Sequence, residues 1–507
     1  MQTKKKNQSF TDKILNGIER TGNKLPHPLI IFFMLAGLIL LISWFVSLFD
    51  VAVQHPGTGE TIEAVNLLSR SGIQRILGEA VTNFTDFAPL GVVLVAMLGV
   101  GVAEKSGLIT AALKKFVLGA PDRYITAAVV FAGIMSNIAS DAGYVVLVPL
   151  GAVIFAAKGR HPLVGLAAAF AGVSGGFSAN LLVSTLDPML AGISQEAAQL
   201  IDSAYTVAPT VNYYFMIVST FFVTILGTWV TEKIIAPRFG EYEGKHSEKL
   251  DTIKAEEKKG LKSALIWILV AIAVILIMTV PSNGILRNDQ GELLAGSSPF
   301  IAGIVPLIAI LFFIPGLAYG KKTGTISNSD DVAEYFEETM SDMGGYIALA
   351  FAAGQFVAYF SWSNLGTILA IKGADFLQSI NFTGLPLILL FILVAGFINL
   401  FIGSASAKWA IMAPVFVPLL MQLGYAPEFA QMAYRIGDST TNIITPLMPY
   451  FAIIISFAKR YDDEVGIGTL ISTMLPYTVA FLVGWTVLLI IWYVLSLPIG
   501  PGGALFY

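Results

Sequence analysis

Long apolar runs constrain this chain more than any other feature of its sequence. The run from Pro28 to Leu48 is one of several that exceed the roughly 18 apolar residues needed to span a membrane. It is too long for the core of a signal peptide, so we interpret it as an uncleaved first span. Only 13% of the 507 residues are charged, against about 25% in soluble domains. The sequence therefore predicts an all-α polytopic membrane protein embedded in a lipid bilayer.

The composition also excludes several classes of protein. The chain has no cysteine, which rules out disulfides, thiolate metal sites and cysteine nucleophiles. Its net charge is −4 and it has no long basic stripe, so we expect no nucleic-acid partner. The four histidines are scattered and form no HExxH motif, and no GKS or GKT P-loop is present. We therefore expect neither a bound cofactor nor an ATP-driven pump. The only metal ion that could take part is Na⁺, as a coupling ion.

The positions of Lys and Arg predict how the spans are oriented, because short cytoplasmic loops are enriched in both. Basic residues before the first span place the N-terminus in the cytoplasm, and about nine crossings then place the C-terminus outside. The loop 191–210 has neither Lys nor Arg and is also placed outside. The predicted segments are a cytoplasmic tail (1–27), a scaffold span with an outer loop (28–84), a first transport repeat (85–237), a cytoplasmic linker (238–262), scaffold spans with a cytoplasmic loop (263–343), a second transport repeat (344–497) and a C-terminal tail (498–507).

Two apolar stretches with polar residues in the middle are predicted to be re-entrant hairpins. The first, 124–157, turns at SNIASDAG and has basic residues on both flanks, so it opens to the cytoplasm. The second, 385–421, turns at GSASAKW and opens to the outside. Each hairpin is followed by a helix that polar residues interrupt, at 162–190 and at 428–458.

The order of features in these two regions indicates a repeat. VVLVPL and VFVPL follow the two hairpin tips, and each is followed by a proline, a glycine (Gly172 or Gly437) and an FSAN or STTN element. A break that contains proline, at Asp187–Pro188 and at Thr445–Pro446, closes each copy. Opposed hairpins and broken helices are typical of inverted-repeat secondary transporters.

Amides and hydroxyls cluster at both predicted helix breaks. The cluster comprises Ser178, Asn180, Ser439, Thr440, Thr441 and Asn442. Such oxygen atoms can ligate Na⁺ at unwound segments of transporters, or they can satisfy the broken backbone itself. Asn137 and Asp141, at the tip of the first hairpin, are further candidates for cation or proton coupling.

Asp187 and Asp438 are the carboxylates best placed to carry a proton or a cation. Asp438 follows Arg435 by three residues, so the two share a helix face and could form an internal ion pair. Arg435 could instead bind a substrate carboxylate through its planar guanidinium. The residues alone support both interpretations.

The tip of the second hairpin offers further contacts for a substrate. Trp409 could stack on an aromatic substrate, although tryptophan is also common at membrane interfaces. Ser404 and Ser406 could donate hydrogen bonds to a substrate or simply allow close helix packing. Lys408 is expected to snorkel, with its charged end in water.

Four motifs resemble those of the aminobenzoyl-glutamate transporter (AbgT) family of bacterial secondary transporters. They are SNIASDAGYVVLVPLGAVIFAAKGRHP, FSANLLVSTLDPMLAGIS, SASAKWAIMAPVFVPLLM and YRIGDSTTNIITPLMPYF. The resemblance covers most of the chain. It implies a homodimer in the bacterial inner membrane, in which each protomer has nine spans and two opposed hairpins. It also implies transport of p-aminobenzoyl-glutamate, a product of folate breakdown, or export of sulfonamide antimetabolites.

The resemblance also implies which residues take part in transport. Carried over position by position, they are Asp187, Ser406, Trp409, Pro427, Arg435 and Asp438. An aromatic carboxylate would suit this set, because Trp409 offers a ring surface and Arg435 a cation. We therefore expect transport by alternating access, driven by an H⁺ or Na⁺ gradient.

Other functions remain as alternatives. The same fold could carry a different substrate, such as a drug or a dicarboxylate. A membrane-embedded enzyme would need a nucleophile with a base, or a zinc motif, and no serine has a histidine within the membrane. A channel is disfavoured by the repeat of broken helices.

Overall fold

The computed structural model describes residues 26, 28–54, 60–139, 143–240, 242, 253–293, 298–446, 448 and 450–507. Helices dominate these residues. Strands β1 (Ala52–Gln54) and β2 (Thr61–Glu63) form a two-stranded antiparallel sheet in which Val53 pairs with Ile62. The prediction of an all-α membrane protein is therefore confirmed in its main feature.

The helices of the first half are α1 (Pro28–Ser47), α2 (Arg70–Thr85), α3 (Ala88–Lys105), α4 (Leu108–Leu118), α5 (Ile125–Ser136), α6 (Val148–Ala157), α7 (Pro162–Phe170), α8 (Leu186–Ala198), α9 (Tyr213–Val230) and α10 (Ala236–Phe239). Those of the second half are α11 (Ala255–Thr279), α12 (Pro299–Ala302), α13 (Ile304–Thr323), α14 (Ser329–Asp342), α15 (Gly344–Trp362), α16 (Leu365–Ser379), α17 (Leu385–Asn399), α18 (Ala405–Gln422), α19 (Pro427–Asn442), α20 (Phe451–Lys459) and α21 (Ile467–Val494).

Eight helices within the described residues are long and apolar enough to cross a membrane. The number becomes nine if the pair Leu108–Leu118 and Asp122–Ser136, bent by 115°, counts as one span. The predicted plain spans are confirmed as α1, α3, α9, α11, α13, α15 and α21. The eighth helix is α18, an arm of the second predicted hairpin. The two predicted broken spans are not among the eight, because their breaks leave no sufficiently long apolar helix.

The helices divide into a lipid-facing periphery and a buried centre. In α1 and α11, only 22% and 17% of the 18-residue apolar stretch is buried inside the protein, as expected for helices that face lipid. They pack against α15 and α13 respectively. At the centre, every residue of α19 is buried, although this helix carries Glu428, Gln431, Arg435 and Asp438. A polar helix that is wholly enclosed marks the region where polar chemistry is concentrated.

The two hairpin regions pack in corresponding ways. Helix α7 contacts both α5 and α6, and α19 likewise contacts both α17 and α18. A Cβ atom at Gly172, just after α7, would lie 2.3 Å from the carbonyl oxygen of Val130, and a Cβ atom at Gly437 would lie 2.4 Å from that of Ile392. Only glycine allows the two backbones to approach so closely at these positions. The glycines matched in the sequence therefore make equivalent helix contacts.

The first broken element is interrupted within 162–190, as predicted, but before the pair Asp187–Pro188 and not at it. Helix α7 continues into a π-helical turn, Ala171–Gly175, and the segment 176–185 that follows has no regular structure. Asp187 and Pro188 lie in the first turn of α8, where proline costs no backbone hydrogen bond. The predicted break at Asp187–Pro188 is therefore wrong, and α8 extends to Ala198 into the predicted loop 191–210.

The second broken element is interrupted at Thr445–Pro446, as predicted. Helix α19 is continuous to Asn442, and residues 443–446 are irregular. The hydroxyls of Thr440 and Thr441 donate to backbone carbonyls one turn earlier in the same helix, at 2.7 and 2.8 Å. Such bonds are compatible with a helix, so the polar run at its end does not break it.

Three other predicted segments differ in detail. The outer loop within 28–84 contains the β-sheet and α2, which the side chain of Ser69 caps at its N-terminus. The linker 238–262 ends in a helix, since α11 begins at Ala255, and residues 243–252 lie outside the described residues. At the tip of the first hairpin, Asn137 begins a 3₁₀ turn, whereas 140–142, including Asp141, are outside the described residues.

Candidate functional site

An ion pair between Asp187 and Arg435 joins α8 to α19. The Nη2 of Arg435 lies 2.5 Å from Oδ1 of Asp187, and both side chains are 1% exposed. The second carboxylate oxygen accepts bonds from the backbone N–H of Ser184 at 2.6 Å and from its hydroxyl at 3.0 Å. Asp187 lies at the N-terminus of α8, where the helix dipole favours a negative charge. The alternative of an Arg435–Asp438 pair within α19 is therefore wrong.

Asp438 pairs instead with Lys408 of α18. The ammonium of Lys408 donates to Oδ1 of Asp438 and to the side-chain oxygen of Asn399. Lys408 is 0% exposed, so the expectation that it snorkels is wrong. A buried ammonium is tolerated here because a carboxylate and an amide oxygen replace its water. The other oxygen of Asp438, Oδ2, has no hydrogen-bond partner among the described residues.

Asn399, at the end of α17, connects the polar groups of α19. Its amide nitrogen lies 2.8 Å from the backbone oxygen of Asp438, from Oγ1 of Thr441 and from Oδ1 of Asn442. The sequence analysis missed this residue. A single amide inside the apolar run FILVAGFINLFI was the signal that could have identified it.

Trp409 forms an aromatic stack with Tyr434 beside these ion pairs. The two ring centroids are 4.5 Å apart and the rings are inclined by 28°. The indole N–H of Trp409 donates to Oγ of Ser194 at 2.9 Å, and the hydroxyl of Tyr434 donates to the carbonyl of Ala405 at 2.6 Å. Protein atoms cover Trp409 completely in this conformation. A substrate could therefore reach its ring only after the helices move.

A chain of buried hydrogen bonds extends from Trp409 towards a cavity. The hydroxyl of Ser194 donates to Gln431 at 2.6 Å, Gln431 donates to Asn212 at 2.7 Å, and Asn212 donates to the carbonyl of Glu428 at 2.9 Å. The sequence analysis missed these four residues, because they come from three separate elements whose proximity no sequence spacing reveals.

The cavity beside Glu428 of α19 has a volume of about 680 Å³ and is lined mainly by α8, by the loop between α8 and α9, and by the start of α13. Its lining includes Pro188, which directly follows Asp187, and Val305 of α13. The hydroxyl of Tyr205, which also lines it, donates to the carboxylate of Glu428 at 3.0 Å.

The first irregular segment contacts the last turn of α19. The backbone N–H of Ser178 donates to Oγ of Ser439 at 3.1 Å. Asn180 accepts from the N–H of Leu182 at 3.2 Å, while its side-chain nitrogen has no hydrogen-bond partner among the described residues. Asn442 takes part in the Asn399 cluster. The structure therefore brings Ser178 to Ser439, and Thr441 and Asn442 to Asn399, whereas the hydrogen bonds of Asn180 and Thr440 are made within their own segments.

The remaining candidates occupy different places. Ser404 caps α18 by accepting from the N–H of Ala407 at 3.4 Å, and its hydroxyl lies 3.4 Å from that of Ser406. Pro427 is the buried first residue of α19. Asn137 lies apart from this group and donates to the carbonyl of Ile134 in its own helical segment. Its side-chain oxygen has no hydrogen-bond partner among the described residues.

The assembled site contains two buried cations, two buried carboxylates and an aromatic stack. Guanidinium and ammonium groups are the usual ligands of carboxylates, and the stack offers an aromatic surface. Within the described residues, no group of three or more His, Cys, Asp or Glu side chains could hold a metal ion. The arrangement is thus suited to an anionic, aromatic small molecule.

Comparison with known proteins gives one consistent result over the whole chain. The family model described as the AbgT putative transporter family matches residues 13–507. The p-aminobenzoyl-glutamate transport protein of Escherichia coli (strain K12) is 42% identical over 494 residues, which is 97% of each chain.

Two solved structures are similar throughout. The YdaH transporter of Alcanivorax borkumensis is 46% identical with a TM-score of 0.90, over 94% of this chain and 100% of that chain. MtrF of Neisseria gonorrhoeae, described as illuminating a class of antimetabolite efflux pumps, is 47% identical with a TM-score of 0.91, over 97% of this chain and 100% of that chain.

Proposed function

Because this chain belongs to the AbgT putative transporter family, we propose that it transports p-aminobenzoyl-glutamate or a related aromatic carboxylate, driven by an ion gradient. The observation that carries the proposal is the stack of Trp409 on Tyr434, with Lys408 5.6 Å from the ring centroid of Tyr434 and Arg435 on the same helix. A cation beside an aromatic surface suits a molecule that joins a benzoyl ring to carboxylates. The E. coli relative, named for this substrate, supports the same conclusion.

The substrate site in this proposal is formed by residues from both repeats. It comprises Asp187, Ser404, Ser406, Trp409, Pro427, Arg435 and Asp438. Cation or proton coupling is assigned to Asn137, Asp141, Asn180, Asn442 and the two aspartates, Asp187 and Asp438. The burial of Trp409 and of both ion pairs is consistent with a closed state between openings to the two sides.

Transport then proceeds by alternating access. The repeats 85–237 and 344–497 supply a core of hairpins and broken helices, and this core moves against the scaffold helices α1, α11 and α13. The hairpins open to opposite sides of the membrane. The cavity between α8, α19 and α13 supports this division, because it lies where core and scaffold meet.

We further propose a homodimer in the bacterial inner membrane, with the N-terminus in the cytoplasm and the C-terminus outside. The protein moves its substrate without chemical change and is not an enzyme. The orientation follows from the basic residues on the predicted cytoplasmic side, such as Lys158 and Arg160 after the first hairpin and Lys459 and Arg460 after α20.

Export of sulfonamide antimetabolites on the same fold is the second candidate function. The observation that favours it is the close similarity to MtrF along the entire chain. Sulfonamides share an aminobenzene ring with p-aminobenzoyl-glutamate but lack its glutamate carboxylates. They would therefore use the aromatic stack more than Arg435.

Reconstitution into proteoliposomes tests both candidates. We expect labelled p-aminobenzoyl-glutamate to accumulate under an imposed pH or Na⁺ gradient, and the accumulation to disappear in Arg435→Ala. Asp375→Asn, which changes an exposed carboxylate on α16, is the matched control and should transport normally. Absence of transport in either direction under both gradients would contradict the first candidate, and sulfonamide transport in the same vesicles would support the second.

A further inference from the structure

Each basic side chain in the candidate site is already paired with a carboxylate of the protein. Arg435 pairs with Asp187, and Lys408 pairs with Asp438. The charges of the four groups cancel, and all four side chains are at most 1% exposed. A substrate with two carboxylates would add two negative charges to this enclosed space. Uncompensated charge is strongly unfavourable in such surroundings, so something must neutralise it.

Two atoms in the site are left unused by the present pairing. Nε of Arg435 and Oδ2 of Asp438 are buried and have no hydrogen-bond partner among the described residues. Nε is the donor that a guanidinium needs, beside one Nη, to bind a carboxylate through two parallel bonds. Oδ2 is a bare carboxylate oxygen that can accept a proton or Na⁺. Each ion pair therefore keeps one atom available for an exchange of partners.

The two basic groups are also close enough to serve one molecule. Arg435 and Asp438, which holds Lys408, are three residues apart on α19, or about 4.5 Å along the helix axis. Lys408 lies 5.6 Å from the ring centroid of Tyr434, which stacks on Trp409. A glutamate-like pair of carboxylates attached to an aromatic ring would match this arrangement.

We propose that each substrate carboxylate replaces one aspartate on its basic partner, while the displaced aspartate takes up one monovalent cation. In the proton case, the Asp187–Arg435 pair, a substrate carboxylate and H⁺ give an Arg435–substrate pair and a neutral Asp187 carboxylic acid. Lys408 and Asp438 undergo the same exchange. The site is neutral before and after, and two cations accompany each dicarboxylate. Na⁺ would neutralise the aspartates equally well, so the experiment must distinguish the two cations. The inference rests on the proposed function, because it requires a substrate with carboxylates.

Few other ionisable groups face the two aspartates. Tyr213 on α9 lies near Asp187, and Tyr434 lies near Asp438. Helices α17 and α21, which pack against α19, contain no Asp, Glu, Lys or Arg. Glu428 lies in the first turn of α19 itself and is buried, and Glu196 lies on α8. Charged groups on the other neighbouring helices are Glu104, Lys105, Lys372 and Asp375. Because Glu428 is also a buried carboxylate on α19, variants of the two aspartates are needed to assign the exchange to the ion pairs.

Cation uptake on binding tests the exchange directly. The purified full-length protein is mixed with p-aminobenzoyl-glutamate, which has two carboxylates, or p-aminobenzoate, which has one. A pH indicator in weak buffer counts protons, and titrations at several Na⁺ concentrations count sodium ions. We expect two cations per p-aminobenzoyl-glutamate and one per p-aminobenzoate. If the cation is H⁺, affinity should fall about tenfold per pH unit for each proton taken up, hence about 100-fold for the dicarboxylate.

Asparagine variants assign each cation to an aspartate. Asp187→Asn or Asp438→Asn leaves a basic group without its carboxylate, so each variant should take up one cation fewer and bind more tightly at high pH. Asp375→Asn, which is exposed on α16, should behave like the wild type. The wild-type comparison of the two ligands needs no variant, so an aspartate variant that fails to fold does not weaken the test.

The outcomes separate this inference from the proposed function. Binding of p-aminobenzoyl-glutamate without uptake of H⁺ or Na⁺ would overturn the exchange and leave the proposed substrate intact. Equal cation counts for the two ligands would also overturn it. If neither ligand binds to the wild type, the proposed substrate class and the exchange both fail.

Discussion

The indole N–H of Trp409 donates to Oγ of Ser194 at 2.9 Å and so links the tip of the second hairpin to α8, 215 residues earlier in the chain. Ser194 in turn donates to Gln431 of α19. The hydroxyl therefore holds three elements in one arrangement, in a place with no access to water. These elements belong to both predicted repeats. If the repeats move relative to each other, the hydrogen bonds of Ser194 to Trp409 and Gln431 must therefore break or rearrange.

Ser194→Ala should weaken this arrangement. The substitution leaves the indole N–H of Trp409 and the side-chain oxygen of Gln431 without their shared partner, and an unsatisfied buried polar group costs about 1–3 kcal/mol. We expect a lower unfolding temperature in detergent and slower uptake. Ser379→Ala, whose exposed hydroxyl on α16 donates to the carbonyl of Phe376 within its own helix, is the control. Equal unfolding temperatures for the two variants would contradict the assigned role of Ser194.

Arg435→Met should destabilise the protein strongly. It leaves Asp187 as an unpaired buried carboxylate, and removing one partner of a buried ion pair costs about 3–5 kcal/mol. The double variant Arg435→Met with Asp187→Leu removes both charges and should recover most of the stability. Transport should stay absent in both variants. The coupling energy between the two residues follows from the unfolding free energies of the wild type, Arg435→Met, Asp187→Leu and the double variant. A double variant that is no more stable than Arg435→Met would exclude a dominant role for the unpaired charge.

Gly437→Ala should separate α17 from α19. The new Cβ atom would lie 2.4 Å from the backbone oxygen of Ile392, so one helix must shift. Since α19 carries Arg435 and Asp438, we expect loss of uptake together with a lower unfolding temperature. Gly91→Ala on α3 is the matched control, because no atom lies within 4 Å of the place that its new Cβ would occupy and alanine favours a helix by about 1 kcal/mol. Normal uptake by Gly437→Ala would refute this dependence on close packing.

His161, between α6 and α7, should make stability depend on pH. Its Nδ1 accepts from the N–H of Leu163 at 3.3 Å and so caps α7. Burial lowers the pKa of His161 from its usual 6.5, against a smaller opposing effect of Asp462. The folded protein thus binds this proton less readily than the unfolded chain, so the contribution is full above pH 6.5 and is lost as the pH falls through the lowered pKa.

The measurement is the unfolding temperature between pH 5 and 8. Ser is a good capping residue that does not titrate in this range, so His161→Ser should keep the cap and lose the pH dependence, whereas a lost cap costs about 1 kcal/mol. The difference between wild type and variant should grow towards acid pH. A difference that is constant with pH would show that His161 does not titrate in this way.

Much of the fold was accessible from local patterns. The first span, predicted from Pro28 to Leu48, is observed as α1 (Pro28–Ser47), because an apolar run of this length has few alternatives in a membrane. Helix breaks were harder to locate. Residues such as Thr441 and Asp187 occur both at helix ends and at interruptions. Which of the two forms depends on the hydrogen bonds that their side chains make to the backbone of neighbouring turns.

The candidate site was accessible only in part. The residues Arg435, Asp438 and Trp409 stood out because polar and aromatic groups are rare in apolar surroundings. Their partners did not, since Asp187 is 248 residues from Arg435 and Ser194 is 215 residues from Trp409. The ammonium group of Lys408 was predicted to reach water because the side chain is long enough. Only the packing of α18 on α19 shows that this group is buried.

The sequence by itself determined that the chain enters a membrane, which segments span it and which polar residues must be sheltered there, because transfer into lipid depends on composition over a short window. The tertiary structure alone decided which charges pair. Pairing depends on the distance between side chains of different helices, and helix packing sets this distance through contacts such as those of Gly437, which sequence spacing does not encode.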